Sequence, residues 1–150
     1  WLPGMSDRDK GVRDAILMSL RGRVKSLKTE ELGELVGSPY ADVRIFAGQT
    51  LLTADQEAFD QYGFDLLIDE DTVVRSTTLR AMGVRRVTGW VRIMSRSLLD
   101  EDYVIQRVAM DALLTDRHEG VKALNEYVER NPQARISALA RAELDRLGVR

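Results

Sequence analysis

The sequence predicts an all-α protein, a right-handed α-solenoid of about five helical-hairpin repeats that form one domain over residues 1-150. Three observations predict it: a recurring interval, an apolar helix face and a helix-starting segment before each copy. The pairs Val12-Arg13, Val43-Arg44 and Val74-Arg75 are 31 residues apart. Related pairs follow 31 and then 29 residues later, at Ile105-Gln106 and Ala134-Arg135. A fixed interval of this length is typical of stacked repeats.

The residues after each Val form one face of a helix, which we call the B helix. With the Val as offset zero, offsets four, five and eight carry small or apolar residues in nearly every copy. These offsets share a face with offset zero because a helix has 3.6 residues per turn. The predicted core is Val12, Leu17, Leu20, Val43, Ala47, Leu51, Val74, Leu79, Met82, Ile105, Ala109 and Leu113.

Residues that begin helices come just before each copy. They are Asp7 and Asp9, Ser38-Pro39, Asp69 and Asp71, Asp100 and Asp102, and Asn131-Pro132. Such residues cap helix N-termini, and proline suits the first helical position. Between copies there is room for one more helix, the A helix. The predicted A helices are Thr29–Val36, Asp55–Leu67, Thr88–Leu99 and Asp116–Glu129.

The pattern Asp-x-Asp-x-x-Val-Arg with following small and leucine residues, clearest at Asp69–Gly83, resembles the short HEAT-like repeat family. Phycobilin lyases and many bacterial scaffolds carry such repeats. The resemblance implies a helical repeat fold and leaves function open, since the fold hosts many functions. It also implies that Arg13, Arg44, Arg75 and Arg135 pair with acids at neighbouring helix starts. For Arg75 the expected partners are Asp42, Asp71 and Asp102.

Composition limits the function classes. The net charge is −2, with a balance of −5 over residues 1 to 75 and +3 over the remainder. No stretch approaches the roughly 18 apolar residues of a membrane span. The chain has no cysteine, which excludes disulfides and thiolate metal sites. Because the sequence begins at Trp1 rather than Met, we expect a fragment of a longer protein, from which an N-terminal signal would be missing.

No catalytic, metal-binding or cofactor-binding constellation is recognisable. His118 is the one histidine, and His118-Glu119 is the one His-Glu pair. HEAT-repeat deoxyhypusine hydroxylases use several such pairs to hold two irons, so a single pair does not reproduce that site. The spacing of Asp116 to Glu119 predicts a capping box instead. The sequence also lacks the Gly-x-Ser-x-Gly elbow of serine hydrolases and a phosphate-binding loop.

A run of arginines offers an alternative function in anion or nucleic-acid binding. Arg80, Arg85, Arg86, Arg92 and Arg96 occur in a window without any acid. With Trp90, the last four resemble a phosphate-binding and base-stacking surface. HEAT-repeat alkylpurine DNA glycosylases bind DNA with aromatic and acidic residues, but on their concave face. A lyase- or glycosylase-like enzyme is a second alternative, which would need a deep concave pocket with a convergent carboxylate.

The favoured prediction is a non-catalytic scaffold that binds a protein or peptide partner. Offsets two and six of the B helices should be exposed on the concave face of a solenoid. On the middle repeats these positions are Ser76, Arg80, Arg107 and Asp111. The two arginines favour an extended acidic peptide as the partner. The competing site is the convex arginine window.

Overall fold

The computed structural model describes residues 4–54 and 56–149, which form helices and turns without any strand. The all-α prediction is therefore confirmed for these residues. The B helices are α1 (Lys10–Arg21), α3 (Ala41–Thr50), α6 (Thr72–Arg85), α8 (Tyr103–Leu114) and α10 (Ser137–Arg146). The A helices are α2 (Thr29–Val36), α4 (Gln56–Ala58) and α5 (Phe64–Leu67) joined by a π-helical segment (Phe59–Gly63), α7 (Trp90–Ser97) and α9 (Glu119–Arg130). A short 3₁₀ helix covers Val24–Ser26.

The chain divides into two compact units, Trp1–Ala81 and Met82–Arg150. In the first unit α2 packs on α3, and α1 also contacts α3. In the second unit α8 packs on both α7 and α9, and α10 packs on α9. Each unit therefore contains the alternating A and B helices that the 31-residue interval predicts.

The predicted core is buried with one exception. Eleven of its twelve residues have relative exposures between 0% and 7%, whereas Val12 is 40% exposed. Its prediction as a core residue is wrong. The described residues that precede α1 form turns rather than a helix, and so they cover Val12 less than an A helix would.

The fifth copy starts two residues later than the Ala134-Arg135 match predicts. Ala134 and Arg135 lie in a turn, and α10 begins at Ser137. Ile136 is fully buried, and so are Ala140 and Leu144 at offsets four and eight from it. Because 136 − 105 is 31, the interval is 31 throughout, and the core position is Ile136 rather than Ala134.

The A helices lie close to their predicted positions. Thr29–Val36 is correct, and the second prediction holds from residue 56 onward, since Asp55 lies outside the described residues. The third A helix begins at Trp90, after Gly89 in a left-handed conformation at φ +75°, and ends at Ser97. The fourth begins at Glu119 and extends to Arg130. None of the helices described is long and apolar enough to cross a membrane.

Candidate functional site

Each B helix is preceded by a polar cluster of the same design, which we call the start cluster. Its first residue, at offset minus five, is Asp7, Ser38, Asp69, Asp100 or Asn131. In the first four copies its side chain accepts a hydrogen bond from the N–H two residues later, at 2.8–3.3 Å. In all five copies its main-chain carbonyl accepts from the side chain at offset one, which lies six residues later. The repeated polar residues therefore fix the turn and the helix together.

A second acid caps the helix itself in three copies. The carboxylates of Asp9, Asp71 and Asp102 accept hydrogen bonds from main-chain N–H groups two residues later, at 2.7–2.8 Å. These N–H groups have no partner within the helix, so the carboxylates replace water there. The acids that could serve as general bases are therefore engaged in capping at these positions.

Arg13 and Arg44 also reach the next copy. Arg13 Nη2 lies 3.0 Å from Asp42 Oδ2, and the guanidinium stacks 3.8 Å from the centroid of Tyr40. Arg44 contacts Asp69 at two points, and the exposed Glu70 carboxylate lies 3.7 Å from Arg44 Nη2. Although burial opposes it, the hydrogen bond from Arg44 lowers the pKa of the Asp69 carboxyl below its ordinary value. The prediction that these two arginines pair with acids at neighbouring helix starts is confirmed.

Arg75 and Gln106 repeat the contact with the preceding turn. Arg75 Nη1 donates to the carbonyls of Asp69 and Glu70, at 2.7 and 3.2 Å. Its Nη2 lies 3.2 Å from the Thr72 hydroxyl. Gln106 Nε2 donates to the Asp100 carbonyl at 2.7 Å, which is the contact that the arginines make. A neutral amide can therefore replace the guanidinium in this role.

Arg135 is not the structural arginine that the sequence pattern predicts. Its guanidinium stacks on the Tyr103 ring, 4.1 Å from the centroid. The position equivalent to Arg13 is occupied by Ser137, whose buried hydroxyl donates to the Asn131 carbonyl at 2.6 Å. Matching the letters Val-Arg selected the wrong register, and extending the interval of 31 would have selected Ile136-Ser137.

The consistently exposed position on the B helices is offset six. With the corrected fifth copy, its residues are all exposed and chemically different: Met18, Gln49, Arg80, Asp111 and Ala142. Offset two varies, and Ser76 is only 7% exposed, with its hydroxyl donating to the Val73 carbonyl at 3.2 Å. The prediction that Ser76 is exposed is wrong. Two residues that are four positions apart differ by about 40° in direction around the helix axis. Offset two therefore points closer than offset six to the buried side of the helix.

Arg107 and Asp111 form a pair on the exposed surface of α8. Arg107 Nε lies 3.1 and 3.2 Å from the two oxygens of the Asp111 carboxylate. The hydrogen bond that Arg107 donates to Asp111 raises the pKa of Arg107. Exposed pairs one helical turn apart stabilise a helix only slightly. An incoming carboxylate could therefore displace Asp111 from Arg107 at little cost.

The arginine window combines exposed arginines with a buried tryptophan. Arg80, Arg85, Arg86, Arg92 and Arg96 are all exposed. Trp90 is 9% exposed, so its ring is covered by protein and offers no face on which a base could stack. The burial argues against the base-stacking role that the alternative function gives to Trp90, because the residue begins α7 and packs inward. The burial supports a place for Trp90 in the core between helices.

Arg86 holds the end of α6 in an unusual conformation. Its φ is +50°, which lies in the left-handed region. The N–H of Val87 donates to the Met82 carbonyl, which is the hydrogen bond that closes an α-helix when the residue after its end is left-handed. The guanidinium donates to the Thr115 carbonyl at 3.2 Å and lies 5.4 Å from the centroid of Trp90. Thr115 follows the last residue of α8, where a cation is favoured by the helix dipole.

The His118-Glu119 segment is part of a helix start. The N–H of His118 donates to the Asp116 side chain at 2.9 Å, and α9 begins at Glu119. Both residues are exposed. Within residues 4–54 and 56–149, no group of three or more His, Cys, Asp or Glu side chains is arranged to hold a metal ion.

A cavity of about 210 Å³ lies in the first unit between the 3₁₀ helix, α2 and the end of α3. Its polar lining residues are Lys25, Lys28, Thr29, Thr50 and Thr53. The remaining lining residues are apolar, and none carries a carboxylate. The cavity therefore differs from the concave, carboxylate-containing pocket that a glycosylase-like activity would need.

The comparisons with known proteins give no family for the chain. A scan against models of protein families finds no match, and a search of curated proteins finds none either.

Proposed function

We propose that the chain is a non-catalytic interaction module, a right-handed solenoid of five HEAT-like repeats that binds a protein or peptide partner along its B helices. The observation that carries this proposal is the contrast between the start clusters and offset six. One contact of the start clusters, from the side chain at offset one to the carbonyl at offset minus five, recurs in all five copies, whereas offset six carries methionine, glutamine, arginine, aspartate and alanine. A constant scaffold with a different exposed side chain on each repeat is suited to recognising a partner along its length.

The chemistry of offset six favours a polypeptide over a polyanion. Met18 is an exposed apolar group, and methionine adapts to varied partners. Arg80 and Asp111 add charges of opposite sign at the same position in consecutive copies. Such a mixture is typical of protein interfaces, whereas nucleic-acid surfaces are predominantly basic. The buried ring of Trp90 also removes the stacking group from the nucleic-acid alternative.

Arg80 in the first unit and Arg107 in the second remain the proposed anchors, each for an acidic side chain of that partner. Arg80 is exposed on α6, and Arg107 is exposed on α8 beside a displaceable counter-ion. Bidentate arginine–carboxylate contacts combine energy with directionality. Asp111, once displaced, accepts hydrogen bonds from donors of the same partner. Ser76 is excluded from the proposed site because it is buried.

Site-specific photo-crosslinking in the native source tests this proposal. A photoreactive side chain replaces Gln49 or Arg80 at offset six, and in the matched control it replaces Arg92 on α7. All three positions are exposed on helices. We expect one protein adduct of the same mass from both offset-six variants and no such adduct from the control. An adduct formed from Arg92 alone with a protein other than a second molecule of this chain would move the partner site to the A helices, and adducts with nucleic acid would favour the alternative function.

A further inference from the structure

The middle of the chain is divided into an acidic block and a basic block. Residues 45 to 74 contain no basic side chain. Their acids are Asp55, Glu57, Asp60, Asp65, Asp69, Glu70 and Asp71. Residues 75 to 99 contain no acid, and their basic residues are Arg75, Arg80, Arg85, Arg86, Arg92 and Arg96. Every molecule of this protein therefore carries two adjacent segments of opposite charge.

The acidic block exposes an apolar stripe at the end of its A helix. Phe64 is 56% exposed and Ile68 is 81% exposed. The N–H of Ile68 donates to the Phe64 carbonyl, so the two residues are one helical turn apart and share a face. Asp65 is exposed between them in the sequence. We call Phe64, Asp65 and Ile68 the acidic stripe.

The basic block exposes a matching stripe on the next A helix. Arg92 and Arg96 are exposed one turn apart on α7, and Leu99, which follows the helix, is 66% exposed. We call Arg92, Arg96 and Leu99 the basic stripe. Asp65 and Arg96 each lie four residues before the first residue of a start cluster, Asp69 or Asp100. Asp65 and Arg96 are therefore equivalent positions of consecutive repeats, and they carry opposite charges. Ile68 and Leu99 are equivalent in the same way, and both are apolar.

We propose that a second copy of this chain covers these stripes, with the acidic stripe of one molecule on the basic stripe of the other. Asp65 pairs with the second copy's Arg96, and Ile68 packs on its Leu99. In a two-fold dimer each molecule uses both of its stripes, so that the same contact forms twice. Exposed apolar side chains flanked by complementary charges fit this arrangement, since association removes Phe64, Ile68 and Leu99 from water. Neither stripe contains an offset-six residue, so self-association and partner binding can succeed or fail independently.

Charge exchange between Asp65 and Arg96 tests the proposal on the full chain. Sedimentation velocity over a concentration series measures the mass of the wild type, Asp65→Arg, Arg96→Asp and the double variant. One chain has a mass of 16.9 kDa, and a dimer has twice that mass. We expect the wild type to approach the dimer mass and both single variants to remain monomeric. The double variant restores the dimer, because each ion pair between the two molecules forms again with its charges exchanged.

Two controls make the result decisive. Glu30→Arg changes an exposed charge on α2 and leaves the dimer intact. An equimolar mixture of the two single variants forms a mixed dimer, since one molecule then supplies only arginines and the other only aspartates at these positions. Far-UV circular dichroism verifies that each variant is folded. A wild type that stays at 16.9 kDa at every concentration, or a double variant that stays monomeric, would overturn the proposal.

Discussion

Arg44 and Asp69, 25 residues apart in the sequence, form a two-point ion pair in which Nε lies 2.6 Å from Oδ2 and Nη2 lies 3.0 Å from Oδ1. The two side chains are 10% and 8% exposed. Arg44 also donates to the Ser38 carbonyl at 3.0 Å, and the Asp69 side chain accepts from the N–H of Asp71. The pair therefore connects the start clusters of two consecutive copies.

Removing one partner of this pair should be costly. We expect Arg44→Ala to lower the free energy of unfolding by about 3 kcal/mol, because the Asp69 carboxylate is left buried without its cation. Urea unfolding at neutral pH measures the change. The matched control is Lys10→Ala, which breaks the exposed Lys10–Asp14 pair and should cost less than about 1 kcal/mol. Equal losses in the two variants would contradict the structural role of Arg44.

The same pair should make stability depend on pH. The folded-state pKa of Asp69 is lowered, so its stabilising contribution is fully present above the unfolded pKa of about 3.9. It is lost as the pH falls through the folded pKa, because the unfolded state then binds the proton more readily. We expect the difference in unfolding free energy between wild type and Asp69→Asn to shrink below about pH 4. A difference that stays constant down to acid pH would show that folding leaves the pKa of Asp69 unchanged, so that the ion pair with Arg44 does not favour the ionised carboxylate.

The corrected fifth copy can be tested through Ser137. We expect Ser137→Ala to lower the free energy of unfolding by about 1–2 kcal/mol, because the Asn131 carbonyl loses its buried donor. Ser19→Ala is the control, since its hydroxyl also donates to a carbonyl but is exposed to water. Its cost should stay within about 0.5 kcal/mol. If Ser19→Ala costs as much as Ser137→Ala, the start-cluster role of Ser137 is wrong.

Arg86 should respond to glycine and alanine in an unusual order. Both substitutions remove the contacts with Thr115 and Trp90, but only glycine relieves the positive φ. We expect Arg86→Gly to be more stable than Arg86→Ala by about 1 kcal/mol. Thermal unfolding compares them with the corresponding pair at Arg92, an exposed position within α7, where alanine should be the more stable by about 1 kcal/mol. If glycine and alanine rank in the same order of stability at both positions, the left-handed conformation of Arg86 is contradicted.

The helices and the core could be predicted from the sequence where the 31-residue interval and the apolar face of the B helices agree. Both place Val43, Val74 and Ile105 in the core, and the capping acids Asp71 and Asp102 place the starts of the helices that carry the last two. The fifth copy was misplaced because Ala134-Arg135 resembles the repeated pair in its letters. The packing of Ile136 and the hydroxyl of Ser137, which takes the place of a guanidinium, support the register that the 31-residue interval gives when it is extended from Ile105.

The candidate site was accessible only in part. Arg80, Arg107 and Asp111 are exposed as predicted, but Ser76 is buried. A helical pattern places offsets two and six on one side of the helix without showing which edge of that side other residues cover. Trp90 was ambiguous for a similar reason, since a large aromatic near arginines suits both a core and a stacking surface. Its burial, rather than its neighbours in the sequence, decides between them.

The central claim is that the partner binds the exposed residues of the B helices, and charge reversal tests it most directly. Once crosslinking has identified the partner, titration calorimetry compares its affinity for two double variants of the intact chain. We expect Arg80→Glu with Arg107→Glu to weaken binding at least about tenfold, because two arginine–carboxylate contacts become repulsive. Arg92→Glu with Arg96→Glu should leave the affinity within about twofold, since rim or distant charges contribute little. The opposite pattern, with only the second pair weakening binding, would contradict the claim and assign the partner to the A helices.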